Sequence, residues 1–532
     1  MSSVVLALAL LAGTVLLSKD ILHFFQLESY QFRGYFRTLH RQWKRVIMPF
    51  LLYAIIALFA ALIFFAFRNS GTFWKVTIAV LLSAFLLFAA DRIRRLLIAT
   101  QKQKKPFVVT PRVKRLYVLY ALSILIIIFL TGYALRFPEW VYMPFIPLTA
   151  PLSLAFGALL ALPLEKLIQY LYFSDARRKL LSSPGLIRIG ITGSYGKTSV
   201  KFILNTILSE KYLVLTTPSS FNTPMGLSRI IRERLEPSHQ VFIGEMGARH
   251  RKDICVLCKL VHPQVGILTS IGPQHLDTFK TLERIQETKY DLIRSLPQDG
   301  FAVFADDGGV VKALWKQTEV QKALTGQEGD DLWADHITMS HNGSAFDLHI
   351  GNRVIPGCTT RLLGKYSIGN ILTACACAVH LELTDAQIKR GIAKIEPVEH
   401  RLQLLSSPGG ITVIDDSFNS NPRGSEAALE VLAAFPGRRI IVTPGMVELG
   451  KDEDAFNHAF GKKMASCTDL VYLVGKKHTK PILDGLIEGG FAADHVKVCA
   501  DLNEATALLH QTMQTGDVIL YENDLPDHYD EK

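Results

Sequence analysis

The residues best suited to chemistry in this chain sit in one short turn, TGSYGKTS, over Thr192–Ser199. The run before it, Leu186–Ile191 (LIRIGI), reads as a short buried strand, and Ser199–Leu208 reads as the start of an amphipathic helix. A strand, a glycine-bearing turn and a helix N-terminus together aim backbone N–H groups and the positive end of the helix dipole at one point, which is how phosphate is bound. Gly193, Ser194, Tyr195, Gly196, Lys197, Thr198 and Ser199 are therefore the candidate nucleotide cradle. In it Lys197 would neutralise the β and γ phosphates of ATP, and the Thr198 hydroxyl would bind Mg2+. The strict pattern GxxxxGK[ST] asks for glycine at 191, where this chain has Ile191. The turn is a variant of the P-loop.

The elements that must position this turn begin only after a very different region. At 532 residues the chain is long for one domain. Met1 to about Leu171 is dominated by apolar runs, whereas from about Gly185 short apolar strands alternate with helical periods and glycine turns. The fold class expected is an α-helical membrane region of about five spans followed by α/β. The candidate spans are Ser3–Ser18, Val46–Phe67, Thr72–Ala90, Leu116–Leu135 and Val141–Leu164. The fifth holds Pro144, Pro147, Pro151 and Pro163 and is expected to be irregular or partly re-entrant. Lys19–Arg45 carries six Lys/Arg and Asp91–Arg115 nine, against two in Arg68–Lys75 and one in Arg136–Trp140. The positive-inside rule then puts the N-terminus outside and, after five crossings, the C-terminal region in the cytoplasm, at the cell membrane. The net charge of +10 is concentrated in these loops rather than in an aromatic-interleaved stripe, so no nucleic-acid partner is expected. Seven cysteines, all after the apolar runs, point to a reducing compartment; Cys255 and Cys258 form a CxxC in an apolar, helix-like stretch with no second pair.

Beyond the turn, a series of segments follows in order: Thr216–Pro218 with Phe221–Gly226; Glu245–Ala248 at a strand end; Ile271–Asp277 (IGPQHLD); Glu287–Lys289; Gly364–Asn370 (GKYSIGN); Val413–Pro422 (VIDDSFNSNP); and Met446–Gly450 (MVELG). The series resembles the Mur ligase family, most closely the members that add D-alanyl-D-alanine to a muramoyl tripeptide. The resemblance implies an ADP-forming acid–amino-acid ligase of cell-wall (peptidoglycan) biogenesis, which activates a carboxylate as an acyl phosphate before an amine displaces phosphate. It also implies roles for residues. Thr198 and Glu245 would hold one Mg2+, His275 and a carbamylated Lys289 the other; Asn370 would meet adenine; Arg401 and Asp416 would close over the nucleotide. Lys197, His275, Lys289 and Arg401 are the implied catalytic set. Oxygen donors suit so hard an ion, and carbamylation turns a lysine into one.

The resemblance runs from about Leu186 to Leu520, and the chain departs from it in places. The family's soluble UDP-gripping N-terminal domain is replaced by the apolar runs. The histidine of its G-x-H-N segment is Tyr366, its Gly-Asp-Met is Pro444–Met446, and its K-G-S segment is Tyr521–Asp524. Three domains are expected: a transmembrane region over 1–175, a central ATP-binding domain over 184–397 and a Rossmann-like lobe over 398–532. Alternation in Asp330–Val354 reads as a small antiparallel insertion, and the tail Glu522–Lys532 is expected to fray. The expected partners are ATP, a carboxylate acceptor, an amino-acid or dipeptide donor, and membrane lipid. A polyamide ligase resembling poly-γ-glutamate synthases, and a non-catalytic nucleotide-dependent membrane scaffold, are the alternative readings.

Overall fold

The computed structural model describes residues 2–524 apart from 29, 68, 99–105, 219, 220, 341, 406, 407, 419, 448 and 477. Asn419 and Glu448 of the motifs above, residues 99–105 of the loop Asp91–Arg115 and the tail beyond Asp524 thus lie outside the described residues. The chain divides into two units, Met1–Tyr170 and Leu171–Lys532.

The first unit is helical. Among the described residues, Trp43–Ala66, Thr72–Leu97, Pro111–Ala134 and Ala150–Leu181 are long and apolar enough to cross a bilayer. Ser3–Leu17 reaches that length only when joined to Lys19–Leu27, from which it bends by 43°. The fifth span is irregular, as expected, but its bounds shift: its first part is broken into short helices, Glu139–Tyr142 and Phe145–Leu148, and the long helix runs from Ala150 to Leu181. Proline explains the shift, because Pro144, Pro147 and Pro151 lack an N–H and restrict the residues before them. Tyr35, Tyr53 and Tyr120 fill the interior of the bundle, while Phe59, Phe73, Trp74, Leu81, Phe88 and Val118 face outward. An outer surface of that composition suits lipid, not water. Helices are joined by hydrogen bonds such as Ser18 Oγ to Tyr120 OH at 2.6 Å and Ser123 Oγ to the Ser153 carbonyl at 2.8 Å.

The second unit holds two sheets. The first comprises β1 (Ile187–Thr192), β2 (Val214–Thr216), β3 (Val241–Glu245), β4 (Val265–Leu268), β5 (Phe301–Ala305), β6 (Gln321–Thr325), β7 (Leu332–Ser340), β8 (Gly343–Ile350) and β9 (Arg353–Thr360). Its order is β2-β3-β1-β4-β5-β6-β7-β8-β9, parallel up to β7 and antiparallel thereafter. The antiparallel segment is therefore not set apart as an insertion: β7 joins β6 through Thr325 and Leu332, making the meander the edge of the main sheet. Both faces of the parallel part are buried, as all-parallel strands require. Ile189, Ile191, Val241 and Ile243 point to one apolar cluster, and Phe242, Leu268 and Phe304 to the other. The helix Lys197–Leu208 closes the first face with Val200, Ile203, Leu204, Ile207 and Leu208. Each such side chain contributes roughly 1.5–3 kcal/mol on burial.

The second sheet comprises β10 (Gln403–Leu405), β11 (Thr412–Asp416), β12 (Arg439–Thr443), β13 (Leu470–Val474), β14 (Val496–Cys499) and β15 (Val518–Glu522), in the order β10-β11-β15-β12-β13-β14. All pairings but β10–β11 are parallel, a Rossmann-like lobe. The expectation of a frayed end from Glu522 is corrected here: Glu522 pairs with Asp416 in the sheet and is fully buried.

Candidate active site

Register brings the site together. Ile191 lies opposite Glu245 and Thr192 opposite Leu268, so the turn after β1, the carboxylate ending β3 and the segment after β4 share the C-terminal edge of the sheet. Ligands bind at that edge in open α/β sheets. Two glycines make the turn possible. Gly193 has φ +153, and a Cβ there would collide with Thr269 Oγ1; Gly196 has φ +79, and a Cβ there would lie 2.7 Å from Asn370 Oδ1.

The turn is pinned by residues that follow β4. Ser194 N–H donates to the Ser270 carbonyl at 2.7 Å, Tyr195 N–H donates to Ser270 Oγ at 2.9 Å, and Thr269 Oγ1 donates to the Tyr195 carbonyl. Ser194 Oγ donates to the Gly272 carbonyl at 3.0 Å. Thr269 and Ser270 are not among the expected site residues. A polar pair placed where a buried apolar strand ends is the signal that could have found them.

Lys197 curls over the turn, its Nζ donating to the carbonyls of Gly193 at 2.7 Å and Ser194 at 3.0 Å. Burial pushes its ammonium down to about 8, with Glu245 pulling it back up and Arg401 lowering it further. Thr198 Oγ1 donates to Glu245 Oε1 at 3.2 Å, and Asn222 Nδ2 reaches the same oxygen at 3.2 Å. The other oxygen, Oε2, has the Lys201 ammonium 3.2 Å away, an ion pair whose geometry falls short of a good hydrogen bond. Lys201 and Glu245 are 0% and 1% exposed, so this is a fully buried pair. Lys201 is absent from the residues expected at the site. It falls on the apolar stripe of its helix beside Val200 and Leu204, and a charge on that stripe is the clue.

Lys289 is carried on the buried face of the helix Leu282–Arg294, which Thr281 caps by accepting from Arg284 N–H. Its Nζ donates to the Gly193 carbonyl at 2.8 Å, so it meets the turn from below. Burial, and then the charge of Lys197, holds it well below the ordinary lysine range. His275 stands at a left-handed φ of 54 and opens the short helix Leu276–Phe279, next to Gln274.

The second lobe supplies the opposite wall. Arg401 lies between His400 and Leu402, which have φ of 61 and 44, and its guanidinium sits 4.5 Å from the centre of the Phe418 ring. Asp416 ends β11 and accepts from Leu402 N–H at 3.1 Å. Burial raises its carboxyl to about 6, opposed by that N–H and by Arg401. An open cleft is lined by Ser194, Tyr195, Gly196, Lys197, Thr198 and Ser199 from the turn, by Asn370, and by Arg401 and Asp416 from the second lobe. Gln274, Tyr366, Ser367, Leu402, Ser420, Asn421 and Gly424 complete it. Gly193, Glu245 and Lys289 underlie the turn rather than line the cleft.

Behind this wall, Glu522 accepts from Ser420 Oγ and from Thr443 Oγ1, the latter at 2.9 Å. Burial is the first cause that lifts its carboxyl from 4.5 to about 8. A carboxyl raised in the folded state keeps its proton while the unfolded chain has lost it, so folding stability is expected to fall as pH rises from about 4.5 to about 8 and then to level. A Glu522→Gln variant is expected to remove this decline, read as melting temperature against pH. A wild-type slope surviving in the variant would assign the decline to another group.

Cys258 is buried and its thiol is pushed up to about 12, while Cys255 donates to Asp291 at 3.0 Å. Among the described residues neither joins a group of metal-ligating side chains.

Two family models match the chain: the Mur ligase middle domain over residues 191–378, and the Mur ligase glutamate ligase domain over residues 400–521. The UDP-N-acetylmuramoyl-tripeptide–D-alanyl-D-alanine ligase of Mycobacterium bovis is 30% identical over 364 residues, covering 64% of this chain and 71% of that protein. Among solved structures, MurF from Acinetobacter baumannii aligns with a TM-score of 0.61 at 26% identity, covering 68% of this chain and 78% of that one. MurF from Thermotoga maritima, solved with ADP, aligns with a TM-score of 0.60 at 25% identity, covering 67% and 80%.

Proposed function

The chain belongs to the Mur ligase family, an ATP-dependent acid–amino-acid ligase with a block of apolar helices ahead of its catalytic domains, and from that premise we propose that it works at the cytoplasmic membrane face on a cell-wall precursor or other lipid-linked acceptor. The observation that carries this reading is the cleft in which a phosphate-binding turn faces Arg401 and Asp416. We read the catalytic part as two domains, 184–397 and 398–532, and the membrane region as standing where relatives grip UDP.

The reaction needs a carboxylate oxygen of the acceptor to attack the γ-phosphorus while ADP leaves. The amine nitrogen then attacks the acyl carbon, the carbon–oxygen bond to phosphate breaks, and the amine sheds a proton as the amide forms. Positioning and charge neutralisation dominate phosphoryl transfer. Lys197 neutralises the triphosphate, backbone N–H groups of the turn orient it, Asn370 meets the adenine end, and Arg401 with Asp416 closes the cleft. The donor set near Glu245 fits Mg2+: its Oε1 already gathers the Thr198 hydroxyl, while Oε2 is balanced by Lys201. Thr198 and Glu245 would hold one ion; His275 and Lys289, the latter as its carbamate, would hold a second. Bound there, Mg2+ supplies further charge neutralisation at the phosphates. Burial, and then the charge of Lys197, lowers the Lys289 ammonium and so favours the amine form that adds CO2, which supports the carbamate.

The direct test is ADP and phosphate release by the detergent-solubilised protein with lipid extract, amino acids and dipeptides, with product mass read in parallel. ADP formed only with a specific acid and amine, and a product lighter by one water, is expected. Turnover that builds a repeating polyamide would favour the poly-γ-glutamate type, and ATP bound but never turned over would favour a scaffold. For Arg401→Ala, kcat is expected to fall roughly tenfold to a hundredfold with a smaller change in KM for ATP, because lobe closure acts on the bound state. An unchanged kcat would remove lobe closure from the mechanism.

A further inference from the structure

Ionisable side chains inside a membrane bundle are costly unless they face a partner or a ligand. In the first unit Glu165, on the helix Ala150–Leu181, is 8% exposed and meets two arginines from the helix Pro111–Ile128. Arg115 binds it tightly, with Nε and a terminal nitrogen each 2.7 Å from Oε1. Arg112 stands farther off, its Nε 3.5 Å from Oε2, and lies 3.9 Å above the centre of the Tyr30 ring. Among the described residues these two guanidinium groups share one carboxylate, and Arg112, held at the longer distance, is the one that borders the pocket and presents its charge there. That side chain borders a small, open pocket whose remaining walls are largely apolar, among them Phe25, Leu116, Ala158, Ala161 and Leu162. The exposed Arg33, Arg37 and Arg41 of the nearby helix Phe32–Arg41 make the same segment basic on its outer face.

We propose that this pocket binds the anionic phosphate headgroup of a membrane lipid, with Arg112 on the phosphate and Leu116, Ala158, Ala161 and Leu162 along the first part of the lipid chain. A free phosphate would gain nothing from those walls, and a neutral lipid would leave the Arg112 charge unmatched. Guanidinium suits the task because its fork pairs with phosphate oxygens and its face can rest on an aromatic ring, as it does on Tyr30. Glu165 and Arg115 form the neutral backing that fixes where Arg112 stands. The site rests on the membrane reading of this bundle and is separate from the ligase chemistry.

The test uses the full-length protein in detergent, titrated with a long-chain isoprenyl phosphate, dioleoyl phosphatidate, dioleoyl phosphatidylcholine and inorganic phosphate, with bound copies read by native mass spectrometry. One copy of an anionic lipid is expected to bind at least roughly tenfold more tightly than phosphatidylcholine, the worth of one charge-assisted contact. Arg112→Gln is expected to erase that preference, Arg112→Lys to keep part of it, and Arg37→Gln, on the exposed face, to leave it intact. Tighter binding of the isoprenyl phosphate would identify a carrier lipid, and tighter binding of phosphatidate a bulk phospholipid. Equal retention of both charge classes, an Arg112→Gln variant indistinguishable from wild type, or displacement of the lipid by inorganic phosphate would overturn the proposal. ATP-dependent ligation of a soluble acceptor, measured on the same preparations, separates loss of this site from failure of the ligase reading.

Discussion

A Lys197→Ala variant is expected to form ADP roughly 10²–10³-fold more slowly than wild type, the range lost when one preorganised charge-stabilising donor is removed. The expectation follows from where the ammonium stands. Its Nζ is held by the Gly193 and Ser194 carbonyls at 2.7 and 3.0 Å, over the turn whose remaining N–H groups, from Gly196 to Thr198 at the helix start, would receive the triphosphate. Nucleotide binding exchanges those carbonyls for phosphate oxygens, whose negative charge offsets the burial that lowers this lysine to about 8. Alanine removes this without disturbing the pinning bonds from Thr269 and Ser270, so the folded unit and its membrane insertion are expected to survive. The check is single-turnover ADP formation together with ATP binding measured at equilibrium; turnover within a few-fold of wild type would remove the phosphate-site argument.

The turn, the strand before it and the helix after it, and the acidic residue ending β3 are readable because each depends on local pattern: glycines where φ must be positive, apolar runs of strand length, an amphipathic helix. The two-sheet plan of the catalytic unit follows from the same periodicities. Other features depend on contacts between segments far apart in sequence. That β7–β9 extends the main sheet depends on one pairing, Thr325 with Leu332, that no periodicity encodes. The kink presenting Arg401 uses left-handed His400 and Leu402, residue types that carry no glycine-like signal. Glu522, expected in a loose tail, is the end of a central strand because β15 lies between β11 and β12. The proline-rich stretch before Ala150 is readable as irregular but not as a set of short helices, since proline states where a helix cannot continue and not what replaces it.

Lys201 is the residue whose role lies furthest from its appearance, and it gives the largest expected stability change. Removing one partner of a buried ion pair strands the other charge, at a cost of about 3–5 kcal/mol. Lys201→Met keeps an unbranched apolar stem beside Val200 and Leu204, but leaves Glu245, among the described residues, with Thr198 and Asn222 as its donors. Loss of stability is therefore expected even though the site's geometry is kept. A Lys201→Met/Glu245→Gln double variant is expected to recover most of it, because no buried charge remains, while both variants stay impaired in ligation. Thermal unfolding of the wild type, the two single variants and the double variant closes the cycle and isolates the coupling between the pair. If Lys201→Met melts with the wild type, Glu245 is neutralised by something other than this lysine. The division of labour between its two oxygens, one toward Thr198 and one toward Lys201, would then have to be abandoned.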